Sequence, residues 1–179
     1  MGNHEFNAIA HATPDGNGSH LRSHLPHKDV GLQVTLKAFS GGFESEEWQG
    51  WIDWFKHLPL YLELDGLRII HAYWDEIAIN AIGGKRLTDP DFLRKAATKG
   101  HAEYLWVEHL LKGYELPMPA GHSFIDHTGI ERQKFRARWF EPEPIGKLAS
   151  DLVFPAGNYD IPPVKMSAQD TQLIPGYDP

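Results

Sequence analysis

The stretch Leu60-Tyr61-Leu62-Glu63-Leu64-Asp65-Gly66-Leu67-Arg68-Ile69-Ile70-His71 sets the fold class of this chain. Two alternating apolar runs, Leu60–Leu64 and Leu67–His71, flank Asp65-Gly66. Asp-Gly is a strong two-residue turn signal, because glycine accepts a positive φ at no steric cost. A β-hairpin is predicted, with its second strand ending on His71 and Ala72–Asp75 following as a loop. Side chains just beyond the carboxyl end of a strand are where α/β proteins gather ligands, so His71 and Asp75 become candidates for chemistry.

Helices are predicted on both sides of the hairpin. Before it, Trp48, Trp51 or Ile52, Phe55 and Leu58 recur every three or four residues over Glu44–Leu58. Ser45 is placed to cap that helix, Glu46 and Glu47 suit its positive end, and Pro59 stops it. The spacing assigns the tryptophans to core packing rather than to a sugar-stacking platform. Leu32, Leu36 and Phe39 predict a helix over Leu32–Phe39. Residues 13–31 are polar and aperiodic, and Phe6–Ala12 reads as a short helix led by a turn at Gly2-Asn3-His4-Glu5. After the hairpin, Asp89-Pro90 looks like an N-cap followed by proline at the first helical position, with a helix to about Lys99. Another helix is predicted over Ala102–Lys112, ended by Gly113. His122–Asp126 and Ile130–Phe140 read as a second hairpin around Thr128-Gly129. From Glu141 the chain is Pro-rich and reads as an extended wrapper.

The 179 residues are one domain's worth, and 41 % hydrophobic residues suffice for a core. A formal net charge of −7 offers no long-range attraction to nucleic acid or anionic lipid. The absence of cysteine excludes disulfides, thiolate zinc sites and a Cys nucleophile. There is no basic and apolar leader at the N-terminus, and no apolar run approaches the roughly 18 residues of a membrane span. A cytoplasmic protein is expected. The 11 histidines are the compositional oddity. His20, His24 and His27 fall in the polar segment and are expected to be solvated there; a His-rich metal-binding role is the competing reading.

Gly2-Asn3-His4-Glu5 combines a small residue, a neutral oxygen ligand and an imidazole. That tetrapeptide, and the hydrophobic strand Leu67–His71 running on to Asp75, resemble two motifs of the calcineurin-like metallophosphoesterases. That family includes Ser/Thr phosphatases and bacterial diadenosine tetraphosphatases. Trp51-Ile52-Asp53-Trp54-Phe55, Leu58-Pro59, Leu111-Lys112-Gly113 and Arg136-Ala137-Arg138-Trp139 look like its bacterial phosphatase branch. The resemblance covers residues 1–140, a partial metallophosphoesterase domain, with 141–179 as an extended segment of the same domain. It implies an α/β fold, an incomplete β-sandwich flanked by helices with the N-terminal strands missing.

The resemblance implies roles residue by residue. Asn3 and His71 would ligate one metal, and His4 would be the general acid protonating the leaving oxygen. Glu5 is assigned a structural hydrogen bond instead. Two divalent ions, Mn, Fe or Zn, would activate a water and clamp phosphoryl oxygens in the complete family member. The substrate would be a phosphomonoester or nucleotide phosphoanhydride, carried by a small molecule, a nucleotide or a phosphoprotein. The family's Asp-x-His and Gly-Asp-x-x-Asp-Arg motifs do not occur in this sequence, nor does its last Gly-His motif. The chain therefore retains ligands for one ion at most. It is expected to be a fragment, inactive alone, able to self-associate through an uncovered sheet edge. The alternative is a non-catalytic metal-binding or interaction module.

One further pattern comes from the residues themselves. Arg132, Lys134, Arg136 and Arg138 alternate and share a strand face, with Phe135, Ala137 and Trp139 on the other. Arg132 and Lys134 are expected to be solvated. Arg136 and Arg138 are candidates for holding a substrate phosphate.

Overall fold

Gly2 is extended (φ −107°, ψ 179°), and helix α1 (Asn3–Ala12) begins immediately after it. The helix thus takes in Asn3, His4 and Glu5, which the sequence had suggested for a turn. The Glu5 carboxylate makes this possible by accepting the Gly2 N–H at 2.8 Å, one of the orphan donors of the first turn. The computed structural model describes residues 1–25, 30–126, 129–157, 159–172 and 174–176, with Val30 by its backbone alone. These form two compact units, Met1–Lys112 and Gly113–Pro179.

In the first unit, α1 is followed by an irregular segment, helix α2 (Val30–Leu36) and a 3₁₀ turn at Gly42–Glu44. Helix α3 (Glu46–His57) has Ser45 as its N-cap, the Ser45 Oγ accepting from the Trp48 N–H at 3.2 Å. Trp48 and Ile52 point into a small core with Ala8 of α1 and Leu36 of α2. Trp51 and Trp54 do not: they are 44 % and 53 % exposed. The periodicity was wide enough for two apolar faces, and only one is covered.

Strands β1 (Tyr61–Leu64) and β2 (Leu67–Ile70) form the predicted hairpin, with Leu64 opposite Leu67 and Gly66 at φ 72°. Helix α4 (Glu76–Ile82), which the sequence reading left without an element, follows the loop. Its N-cap is Asp75, whose Oδ1 accepts from the Ala78 N–H at 3.0 Å. Helix α5 (Pro90–Ala97) carries the expected Asp89 cap and Pro90 start, and α6 (Ala102–Lys112) has the predicted bounds. Both α4 and α5 pack on α6.

The second unit pairs β3 (Glu115–Pro117) with β6 (Lys134–Arg136), and β4 (Phe124–Ile125) with β5 (Glu131–Arg132). The single long strand expected over Ile130–Phe140 is therefore divided at Gln133, whose carbonyl accepts from the Met118 N–H. Its first half completes the local hairpin; its second pairs with a partner much earlier in the chain. Thr128 and His127 lie outside the described residues. The Pro-rich segment contains two short helices, α7 (Ala149–Leu152) and α8 (Ala168–Gln172), and is not wholly extended. It also supplies Leu152, Val153, Ile161, Met166 and Ile174 to the core around Phe135. The architecture is mixed α/β, with three two-stranded antiparallel sheets among the described residues. Among them no helix is long and apolar enough to cross a membrane.

Candidate functional site

The start of the chain is tied to the start of the hairpin: the Met1 ammonium donates to the Pro59 carbonyl at 2.6 Å. Partial burial lowers the pKa of that ammonium, and the nearby Glu5 carboxylate opposes the shift. The N-terminus of α1 stands beside the end of β2, where His71 follows Ile70. There the His71 Nε2–H donates to Asn3 Oδ1 at 3.1 Å, across 68 residues of chain.

Gly2 explains why the imidazole fits. A Cβ at this position would stand 2.8 Å from His71 Cε1, 3.0 Å from its Nδ1 and 2.9 Å from Glu5 Oε2. Real carbon atoms do not approach so closely, so the ring lies over a backbone that only glycine provides. Each residue of Gly2-Asn3-His4-Glu5 thus has a physical assignment. Gly2 admits the ring, Asn3 meets it, and Glu5 closes the helix start with the structural bond expected of it. His4 is exposed at the mouth of a cleft in the first unit.

The Asn3–His71 pair has the chemistry of adjacent metal ligands. Two donors each about 2.1 Å from one ion and at right angles to one another lie about 3.0 Å apart. An amide oxygen and an imidazole nitrogen at 3.1 Å match that separation. Both donors are neutral, and among the described residues no three His, Asp or Glu side chains converge on a common metal position. The 3.1 Å separation is also that of their hydrogen bond, and two neutral donors do not complete a coordination sphere.

Asp75, a few residues after His71, does not join the pair. It is buried, caps α4, and its Oδ2 meets His109 Nδ1 at 2.7 Å. The N-terminal histidines form a separate arrangement. His11 and His24 stack with centroids 3.7 Å apart and planes 9° apart, and His20 stacks on His24 at 4.0 Å. Phe43 meets His11 and His24 edge-on. His24 Nε2 lies 2.8 Å from the His11 carbonyl oxygen. Burial first, and then the neighbouring His24, lower the pKa of His20, while Asp15 opposes them. Neither the stack nor the burial of His11 was foreseen from sequence. His27 lies outside the described residues.

Arg136 and Arg138 belong to the second unit. Both are half-buried, with Phe135 and Ala137 facing that unit's core. Arg138 Nη1 is 3.8 Å from Glu141 Oε2. The Glu141 carboxylate is held below its usual pKa chiefly by its hydrogen bond from Lys147. Arg138 Nε is buried without an acceptor among the described residues. Arg132 is engaged by Asp126 at 2.8 Å, and Lys134 is exposed.

No protein-family description, curated protein or solved structure matches this chain.

Proposed function

We propose that this chain contributes part of the catalytic centre of a calcineurin-like metallophosphoesterase, and that its β-hairpin belongs to that family's β-sandwich. The observation that carries the reading is the Asn3–His71 contact over Gly2. It joins the two sequence segments that resemble the family motifs. Asn3 Oδ1 and His71 Nε2 would hold one divalent ion, with Mn, Fe or Zn suited to this mixed oxygen and nitrogen donor set. Such an ion supplies Lewis acidity to a phosphoryl oxygen and acidity to a bound water. His4, exposed beside the pair, would give its proton to the leaving oxygen of a phosphomonoester or phosphoanhydride. Arg136 and Arg138 are proposed phosphate contacts of the second unit, the unmet Arg138 Nε supporting the assignment.

Two neutral donors do not retain a pair of catalytic cations, which need carboxylates. The chain by itself is therefore proposed to bind one ion weakly and to leave p-nitrophenyl phosphate intact. Orthophosphate is expected to bind more tightly when Mn²⁺ is present, and to lose that gain in Asn3→Ala and His71→Ala. Calorimetric titration checks this. Phosphate affinity indifferent to Mn²⁺ and to both substitutions would overturn the site. Robust Mn²⁺-dependent hydrolysis by the pure chain would overturn its inactivity.

A further inference from the structure

Within the first unit, a cleft of about 230 Å³ opens between the end of α3, the chain entering β1 and the turn after α4. It is separate from the cleft at His4. Its floor is aliphatic: Leu60, Ile82 and Leu87 are buried, and Leu62 stands exposed at its edge. Tyr61 also lines it, with its ring engaged edge-on by Trp74. A second cleft of about 150 Å³ shares Lys56 and Leu87 with the first. An aliphatic chain that fills the first cleft therefore has an apolar continuation.

The polar lining carries one sign of charge. Lys56, Lys85 and Arg86 line the first cleft and no described Asp or Glu does, in a chain with 24 acidic against 17 basic residues. A cleft lined by one charge sign between low-dielectric walls concentrates the opposite ion. The three cations are not equally available. Lys56 donates to Asp53 Oδ1 at 3.2 Å. Lys85 donates to the Ala81 carbonyl at 3.2 Å and lies 5.4 Å from the Trp106 ring centroid. Arg86 is held through its backbone, its carbonyl accepting the Asp89 N–H at 3.0 Å. Its side chain makes no hydrogen bond or ion pair among the described residues, so all five guanidinium donors are open to a ligand. An arginine on a convex surface would be an ordinary solvated side chain. Here it borders a concave aliphatic floor, and the two together suit a molecule with an anionic head and an apolar body.

We propose that this cleft binds an aliphatic carboxylate of medium chain length, its head on Arg86 and its chain along Leu60, Ile82 and Leu87. The proposal is independent of the Asn3–His71 site, neither of whose residues lines the cleft.

The test is an NMR titration of the full chain in metal-free buffer. The probe is hexanoate, with acetate (head without chain) and 1-hexanol (chain without head) as comparisons. Saturable binding of hexanoate that moves the Leu60, Ile82 and Leu87 methyl signals is expected, at least fivefold tighter than either comparison. Affinity should rise about two- to fourfold per added methylene from butanoate to octanoate. Arg86→Gln should weaken hexanoate binding about fivefold. Leu62→Trp, at an exposed position on the edge, should abolish it by filling the cleft. Leu64→Trp, exposed on the same strand but outside the lining, should leave it unchanged. No saturable binding, equal binding of acetate or 1-hexanol, or indifference to both Arg86→Gln and Leu62→Trp overturns the proposal. Because the medium is metal-free, these results stand whether or not the Mn²⁺-dependent phosphate binding above is observed.

Discussion

Helix α1 carries a histidine arrangement at each end, and the two are built in opposite ways. At its N-terminus the edge of the His71 ring meets Asn3, the ring nitrogen hydrogen-bonded to the amide oxygen. Near its C-terminus His11, His24 and His20 lie ring on ring. Imidazole lone pairs lie in the ring plane. An ion midway between rings 3.7–4.0 Å apart would sit nearly 2 Å out of both planes. The stack therefore does not hold one ion between its rings, although it contains more histidines. What distinguishes a ligand set is the convergence of lone pairs, which neither histidine count nor local density reports.

The largest effect is expected where a further histidine, His109, is held by a carboxylate. Asp75→Ala removes both the α4 cap and the His109 contact. It should cost about 2.5–4 kcal/mol in urea unfolding, from a cap of about 1 and a charge-assisted bond of about 1.5–3. This loosens the packing of α4 on α6 without distinguishing the two ends of α1. Gly2→Val separates them. Its side chain would displace His71 or Glu5, costing about 1–3 kcal/mol and breaking the Asn3–His71 contact. Nuclear Overhauser contacts within the His11–His24–His20 stack should survive. Gly66→Ala strains the hairpin turn at φ 72° and should cost about 1 kcal/mol without moving the stack.

The smallest effect isolates the stack. The folded chain lowers the His20 pKa, so it favours neutral imidazole there. A depressed histidine pKa contributes stability that is fully present above the unfolded value of about 6.5 and is lost as pH falls through the folded value. Tm should fall modestly between pH 7.5 and 5.5, and His20→Phe should flatten that slope while keeping a ring in the stack. An unchanged slope in His20→Phe would remove His20 from the account.

How much of this was legible depended on whether the cause was local. Asp65-Gly66, the Ser45 cap, Asp89-Pro90 and the stop at Gly113 are set by neighbouring residues, and the elements they predict are present. Helix α4 also carried local signals, Asp75 before it and Gly83 after it. Asp75 drew notice only as a polar residue after the strand end, and its capping of α4 went unread. The division of Ile130–Phe140 was not readable, because β6 finds its partner at Glu115–Pro117 through tertiary pairing. The Pro-rich tail hid its core residues for the same reason: Ile161, Met166 and Ile174 show no period, yet all are buried.

At the site, the motif resemblance singled out Asn3, His4 and His71. It could not report the contact between Asn3 and His71, which forms over the Gly2 backbone. Arg86 carried no signal at all. Its place at a cleft follows from the turn after α4, a helix that went unread.

The most direct test is a titration of the chain with Mn²⁺, read by paramagnetic broadening of assigned side-chain NMR signals. The account predicts that the Asn3 amide and His71 imidazole signals broaden first and together. The His11, His20 and His24 signals should persist, and the selectivity should vanish in Asn3→Ala. First broadening at the stacked histidines, or broadening at His71 that Asn3→Ala leaves intact, would contradict it.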